Sequence, residues 1–304
     1  MLKFKIMKRK IQFTALAVFA LCLVSCKEDK VTDKPSNGVK NASENYNVSI
    51  LLDLSDRIDP VKHPDKTMEY YVRDIGYIKS VSEAFTEHVR GKRVRQANDK
   101  MQLFFDPEPS NTEINAISDK LKTKIDKDNI SKELLDNVKT TYETNPLQIY
   151  ELAIKEKDYP GSDIWRFFKN KVTDYCIDED YRNILVILTD GYIFYKNSEI
   201  KEGNRTNFLL SKTIKQNGLN VSQWKEKMNN NDFGFIKANE DLSNLEVLVL
   251  GINPDSKNPY EEDVIKAYWG KWLQEMKVKR FEIRGAELPS NMEKVIKDFI
   301  NKGK

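Results

Sequence analysis

Five stretches of this chain are apolar over strand length: "VSILLDL" at 48–54, "MQLFF" at 101–105, "ILVILT" at 184–189, "VLVLGI" at 247–252 and the weaker "RFEIRG" at 280–285. A run that is apolar at consecutive positions, rather than at every second one, describes a strand covered on both faces, which is the habit of parallel sheets. After the first run, Met68, Tyr71, Val72, Ile75, Ile78, Val81, Phe85 and Val89 recur at helical spacing until Gly91. Strand and helix signals alternate from residue 46 onward, and this predicts an α/β domain: an open, mostly parallel sheet with helices on both faces. Two C-terminal helices have readable starts, Asn258-Pro259 followed by Glu261 and Glu262, and the capping box "SNME" at 290–293.

Two segments exceed a minimal sheet-and-helix design. Residues 107–160 carry a capping box at Ser110 and Glu113 and helical spacing at Ile114, Ile117, Leu121 and Ile125, which reads as an inserted helical segment. Residues 192–244 follow a strand end directly and mix Tyr192, Phe194, Tyr195, Phe208, Trp224, Phe233 and Phe235 with Asn-rich polar sequence. Connections of this length are usually functional or disordered. The aromatics offer either an exposed anchor for a partner or the segment's own small core.

The N-terminus has the three parts of a secretion signal: the basic "MLKFKIMKRK", the apolar "IQFTALAVFALCLV", which is short for a membrane span, and "LVSC" ending at Cys26. The polar stretch "KEDKVTDKPSNGVKNASEN" that follows has the composition of a flexible linker. The expected organisation is a signal peptide over 1–25, a linker over 26–45 and one domain over 46–304. Of the three cysteines, Cys22 would leave with the signal, so no disulfide framework is available within the mature domain, and Cys176 is expected as a buried free thiol. The 50 basic and 47 acidic side chains nearly cancel and are interspersed, which gives no case for a nucleic-acid partner.

Candidate chemistry sits at strand ends. In open parallel sheets ligands bind outside the carboxyl ends of the strands. Asp53 and Ser55 close the first run and Asp190 closes the third. Either acid alone reads most simply as a helix cap. Together with a hydroxyl they make an oxygen-rich site suited to a hard divalent cation such as Mg²⁺. The sequence has no Gly-x-Ser-x-Gly elbow, no phosphate loop, no Gly-x-Gly-x-x-Gly and no His-Glu-x-x-His. Its two histidines, His63 and His88, read as a loop residue and a helix-surface residue.

Two resemblances extend this reading. "LVSC" resembles the lipobox of bacterial lipoproteins, which implies acylation of Cys26 and a membrane tether, and the acids of "KED" resemble a surface-export signal of Bacteroidota lipoproteins. The strand-end motifs resemble those of the von Willebrand factor type A (vWA) domain, a Rossmann-like fold with a metal-ion-dependent adhesion site (MIDAS). Asp53-Leu54-Ser55 matches the start of its Asp-x-Ser-x-Ser motif, Ser162 in "GSDI" resembles its hydroxyl in a Gly-rich loop, and Thr189-Asp190-Gly191 resembles its Asp-Gly element. The resemblance implies metal ligands Asp53, Ser55, Ser162 and Asp190. It also implies binding of a protein partner rather than catalysis, with Asp56, Arg57, Tyr192, Phe194 and Tyr195 around the site.

Arg57 departs from the pattern, standing where the family has a second ligand serine. Pointing into the cluster it would pair with Asp53 or Asp190 and displace the ion; pointing outward it would leave a MIDAS-like site able to hold Mg²⁺ or another divalent cation. The expected protein is an outer-membrane lipoprotein of the cell envelope, periplasmic or surface-exposed. Two alternatives stand beside it: a haloacid-dehalogenase-like phosphatase using Asp53, and a metal-free assembly scaffold.

Overall fold

The computed structural model describes residues 44–302 except 160 and 256. The signal segment, Cys26 and all but the last two residues of the linker lie outside the described residues. Six strands form the main sheet: β1 (Asn45–Leu52), β2 (Asn98–Phe105), β3 (Lys122–Asp126), β4 (Tyr181–Leu188), β5 (Leu245–Ile252) and β6 (Arg280–Gly285). Their spatial order is β3-β2-β1-β4-β5-β6, parallel throughout except for β3, which runs antiparallel to β2 at one edge. This is a Rossmann-like open α/β fold, and the order reverses between β1 and β4.

Side-chain alternation along the strands explains why both faces are covered. Tyr46, Val48, Ile50 and Leu52 of β1, with Ile184, Val186 and Leu188 of β4, pack against α1 (Tyr70–Arg90), α3 (Lys132–Glu156) and α9 (Pro289–Asn301). Leu51, Leu185, Ile187, Val247 and Val249 face the other way, onto α4 (Ile164–Asn170), α5 (Val172–Cys176) and α8 (Glu261–Glu275). Each fully buried Val, Ile or Leu contributes about 1.5–3 kcal/mol, so the central strands anchor the domain. Cys176 ends α5 as a buried free thiol, and burial pushes it up to about 12, which keeps it protonated and unreactive.

Residues 107–160 are mostly helical, as expected, but they also supply the edge strand β3. The helix α2 (Thr112–Asp119) stops early, and the chain continues as β3, so the apparent helical stripe crosses two elements: Ile114 and Ile117 lie on the helix and Ile125 on the strand. The cap of α2 is Asn111, whose side chain accepts from the Glu113 and Ile114 amides, and not Ser110. The helix α9 starts at Pro289 with no side-chain cap, so "SNME" lies inside it. Asn258 does act before α8, accepting from the Tyr260 amide at 3.1 Å and donating to Glu261 at 2.8 Å.

Of the seven aromatics of 192–244 only Phe235 is buried, and the others are half-buried. Phe235 is buried against Tyr268, Trp269 and Trp272 of α8, and Trp224 and Phe233 pack on the same cluster. Two-residue strands at Lys201–Glu202, Arg205–Thr206 and Gly234–Phe235, with α6 (Ser211–Gln216) and α7 (Trp224–Asn230) between the last two, form a small sheet that holds this segment on α8.

At the amino end of the sheet a charged cluster locks the last helix. Glu246 accepts two bonds from Arg182, at 3.1 and 2.9 Å, and one from Arg280 at 2.6 Å. Arg182 also donates to the Phe299 and Ile300 carbonyls, which have no partner within α9. Burial pushes the Glu246 carboxyl up, and the two guanidinium groups more than offset it, leaving it below the usual range. His88 is not a surface residue: its side chain is 6% exposed and stacks on Tyr46 with ring centroids 3.4 Å apart. Beside it Lys92 donates to Asp99 and Asn45, both at 2.8 Å, and to the Glu44 carbonyl at 3.1 Å.

Candidate functional site

The first motif lies where the strand order reverses, at the carboxyl ends of β1 and β4, which are hydrogen-bonded neighbours in register from Asn45↔Tyr181 to Leu52↔Leu188. That register places Asp53 beside Thr189. The Asp53 carboxylate is buried and accepts from the Ser55 amide at 2.9 Å and the Thr189 hydroxyl at 2.8 Å. Thr189 in turn accepts from the Gly191 amide at 3.1 Å. Gly191 has φ +96°, and a Cβ there would stand 2.5 Å from Ile265 Cγ2, so this turn admits only glycine. The turn aims Asp190 outward, half-buried, with one oxygen accepting from the Tyr192 amide at 3.0 Å.

Burial and the neighbouring Asp53 charge push the Asp190 carboxyl up to about 7, against the pull of Arg57. A carboxyl raised in the folded state holds a proton that the unfolded chain gives up near pH 4. Its contribution to stability is therefore complete below that pH and is lost as the pH rises through about 7. Asp190→Asn is expected to flatten this part of the stability profile, which urea unfolding between pH 4 and 8 would detect; an unchanged profile would assign the slope to other groups.

Ser55, Ser162 and Asp190 line one cleft of about 1170 Å³. Ser162 arrives by a short antiparallel pairing in which Gly161–Ser162 meets Phe194–Tyr195. Gly161 has φ +95°, and a Cβ would lie 2.5 Å from the Phe194 carbonyl oxygen, so the glycine permits this close approach. The Ser162 hydroxyl is buried and has no hydrogen-bond partner among the described residues. Tyr192 and Phe194 form part of the cleft wall, half-buried like Tyr195, and Asp56 stands at the rim paired to Lys62 at 2.9 Å.

Arg57 takes the inward course. It is 5% exposed and turned inward, donating to Asp74 of α1 at 2.7 Å and to the Leu188 and Asp53 carbonyls at 2.9 and 3.1 Å. It also forms a long ion pair with the Asp53 carboxylate at 3.7 Å, and the described residues place no ion pair between it and Asp190. Asp74 also accepts from Tyr150 of α3 at 2.8 Å. Burial pushes the Asp74 carboxyl up against the pull of Arg57 and Tyr150, while Asp74 and Asp53 hold the guanidinium protonated. Arg57 is therefore a strut beneath the site, and it also lines the cleft. Asp74 was legible in principle, because it falls on the apolar stripe of α1 between Tyr71 and Ile78, where an acid must be paired. Thr189, bonded to Asp53, was passed over as the end of a strand.

Among the described residues no three His, Cys, Asp or Glu side chains gather to hold an ion. The oxygens open to the cleft are instead those of Asp190, Ser55 and Ser162, with the Asp53 carboxylate hydrogen-bonded and buried behind them and the buried Ser162 hydroxyl without a partner among the described residues. Such a set fits a hard cation that keeps several waters.

No family model matches the chain, and no curated protein is similar to it. Among solved structures it is similar to the pilus adhesin SpaC from Lactobacillus rhamnosus GG, at 9% identity and TM-score 0.41 over 84% of this chain. That match spans only 30% of the adhesin. It is also similar to an aerotolerance-related membrane protein from Bacteroides fragilis, at 14% identity and TM-score 0.35 over 85% of this chain and 100% of that one. BatB from Bacteroides thetaiotaomicron gives 12% identity and TM-score 0.38, covering 84% and 97%. Similarity this distant transfers no function.

Proposed function

We propose that the protein is a vWA-like binding module of the cell envelope, tethered through Cys26, whose cleft at the ends of β1 and β4 docks a protein partner. The observation that carries this reading is that Ser55, Asp190 and the unpartnered Ser162 hydroxyl line one cleft at the point of strand reversal, with Asp53 buried behind them. Ser55, Ser162 and Asp190, backed by Asp53, would hold a Mg²⁺ or similar cation. A cation there would offer a coordination position to a carboxylate of the partner. The chain's own residues position that event: Thr189 and the Ser55 amide fix Asp53, Gly191 turns Asp190 outward, and Tyr192 and Phe194 wall the cleft.

The phosphatase alternative asks Asp53 to attack phosphorus. Both of its oxygens already accept hydrogen bonds, and it is 2% exposed, which favours a positioning role. Hydrolysis of p-nitrophenyl phosphate, lost in Asp53→Asn, would reverse that preference.

Calorimetric titration of the full chain with Mg²⁺ tests the site. Ser162→Ala is expected to leave stability without divalent ions unchanged or slightly higher, by up to about 1 kcal/mol, since it removes a buried hydroxyl with no partner. The same variant should lose the heat of Mg²⁺ binding and the accompanying rise in unfolding temperature. No uptake by the wild type at millimolar Mg²⁺, or equal uptake by Ser162→Ala and Asp190→Asn, would remove the metal from the reading.

A further inference from the structure

The cleft has an acidic floor and a basic rim. Lys157, Lys196 and Lys257 are exposed at its mouth and come from three separate segments: the residue after α3, the loop after Phe194–Tyr195, and the loop after β5. The acids on the same rim are mostly occupied, Asp56 by Lys62 at 2.9 Å and Asp255 by Lys215 at 3.1 Å, while Asp158 accepts the Ser110 hydroxyl at 3.2 Å. Among the described residues none of the three lysines has an acidic side chain within ion-pair distance. The wall includes Pro64, Tyr159, Phe194 and Leu210 beside polar His63, Ser211 and Asn253, and Val61 stands 83% exposed on the adjoining loop.

We propose that the segment bound here is an acidic peptide with at least two carboxylates: one meets the floor at Asp190 through the cation, and the others are read by Lys157, Lys196 and Lys257. The inference rests on the binding-cleft reading and names the partner's chemistry. The volume admits several residues, and the three lysines come from separate segments of the chain, which suits carboxylates spaced along a peptide. The apolar part of the wall and Val61 suit intervening apolar side chains, which a sulfated or phosphorylated polymer does not have. Complementary rim charge contributes to partner choice and encounter rate, and it weakens with salt.

The test uses the full-length protein in detergent and two end-capped, fluorescein-labelled peptides of equal length. One alternates Glu with Val, and the other keeps a single Glu with Ser in place of the rest. Anisotropy in Mg²⁺ at low salt should give tighter binding of the multi-Glu peptide, weakening as NaCl rises. Lys157→Ala/Lys196→Ala/Lys257→Ala should reduce that affinity about tenfold, the sum of three modest exposed pairs. Equal affinity of the triple variant and the wild type overturns the proposal, as does equal competition by heparin. If the single-Glu peptide binds through Asp190 and the multi-Glu peptide gains nothing, the cleft reading stands and this inference falls. If the multi-Glu peptide binds through the lysines, indifferent to EDTA and Asp190→Asn, the lysine rim stands and the metal falls. Binding of neither peptide sinks both.

Discussion

Glu246→Gln is expected to destabilise the protein by about 3–5 kcal/mol, because it leaves the buried Arg182 guanidinium without its counter-charge. For a domain of this size the thermal midpoint should fall by roughly 10 °C. The cost goes beyond one ion pair, since Arg182 also holds the Phe299 and Ile300 carbonyls at the end of α9. Removing both charges in Arg182→Met/Glu246→Leu should recover much of the loss, as well-packed apolar replacements of buried pairs often do. The pH dependence has a definite sign. Glu246 is held below the usual carboxylate range, so its contribution is present at neutral pH and disappears as the pH falls through the acid range. Thermal unfolding of wild type and Glu246→Gln should therefore converge on acidification, and equal midpoints at neutral pH would refute the clamp.

Arg57→Met should cost a similar amount, about 3–5 kcal/mol, by stranding Asp74 in the core with only the Tyr150 hydroxyl for company. Asp74 would then respond to burial alone and rise further. A carboxyl raised in the folded state favours folding at low pH and loses that advantage as the pH climbs, so the penalty of Arg57→Met should shrink on acidification. Arg57→Met/Asp74→Asn should regain part of the loss at neutral pH, since the amide keeps a partner in Tyr150. Urea denaturation at pH 7 and pH 4.5 separates these outcomes. A pH-independent penalty would mean that Arg57 acts through packing alone, and full stability of Arg57→Met would remove the strut altogether.

The sequence made the central sheet legible because its strands are buried on both faces and so carry no competing polar signal. It also placed Asp53 and Asp190 at strand ends, and the pairing of β1 with β4 brings those ends together. The edge strand β3 was hidden because "KTKID" exposes its lysines and buries only Ile125, and that isoleucine happens to continue the spacing of the preceding helix. The aromatics of 192–244 could equally have been a surface or a core, and they divide: Phe235 packs on Tyr268, Trp269 and Trp272 of α8, while Tyr192 and Phe194 line the cleft. Arg57 was visible as a departure, but its destination required knowing that α1 brings Asp74 beneath the first motif. No local pattern links residues that far apart in the chain.

The path of β1 through the sheet has a mechanical consequence. The chain enters this strand at Asn45, where Lys92 grips Asn45 and the Glu44 carbonyl, and leaves it at Asp53, roughly 26 Å away at the cleft. A load between whatever holds the chain ahead of Glu44 and a ligand seated in the cleft runs along the strand's own axis. Parallel neighbours bond β1 on both sides, so that load meets both ladders in shear, and their bonds must yield together rather than peel apart one after another.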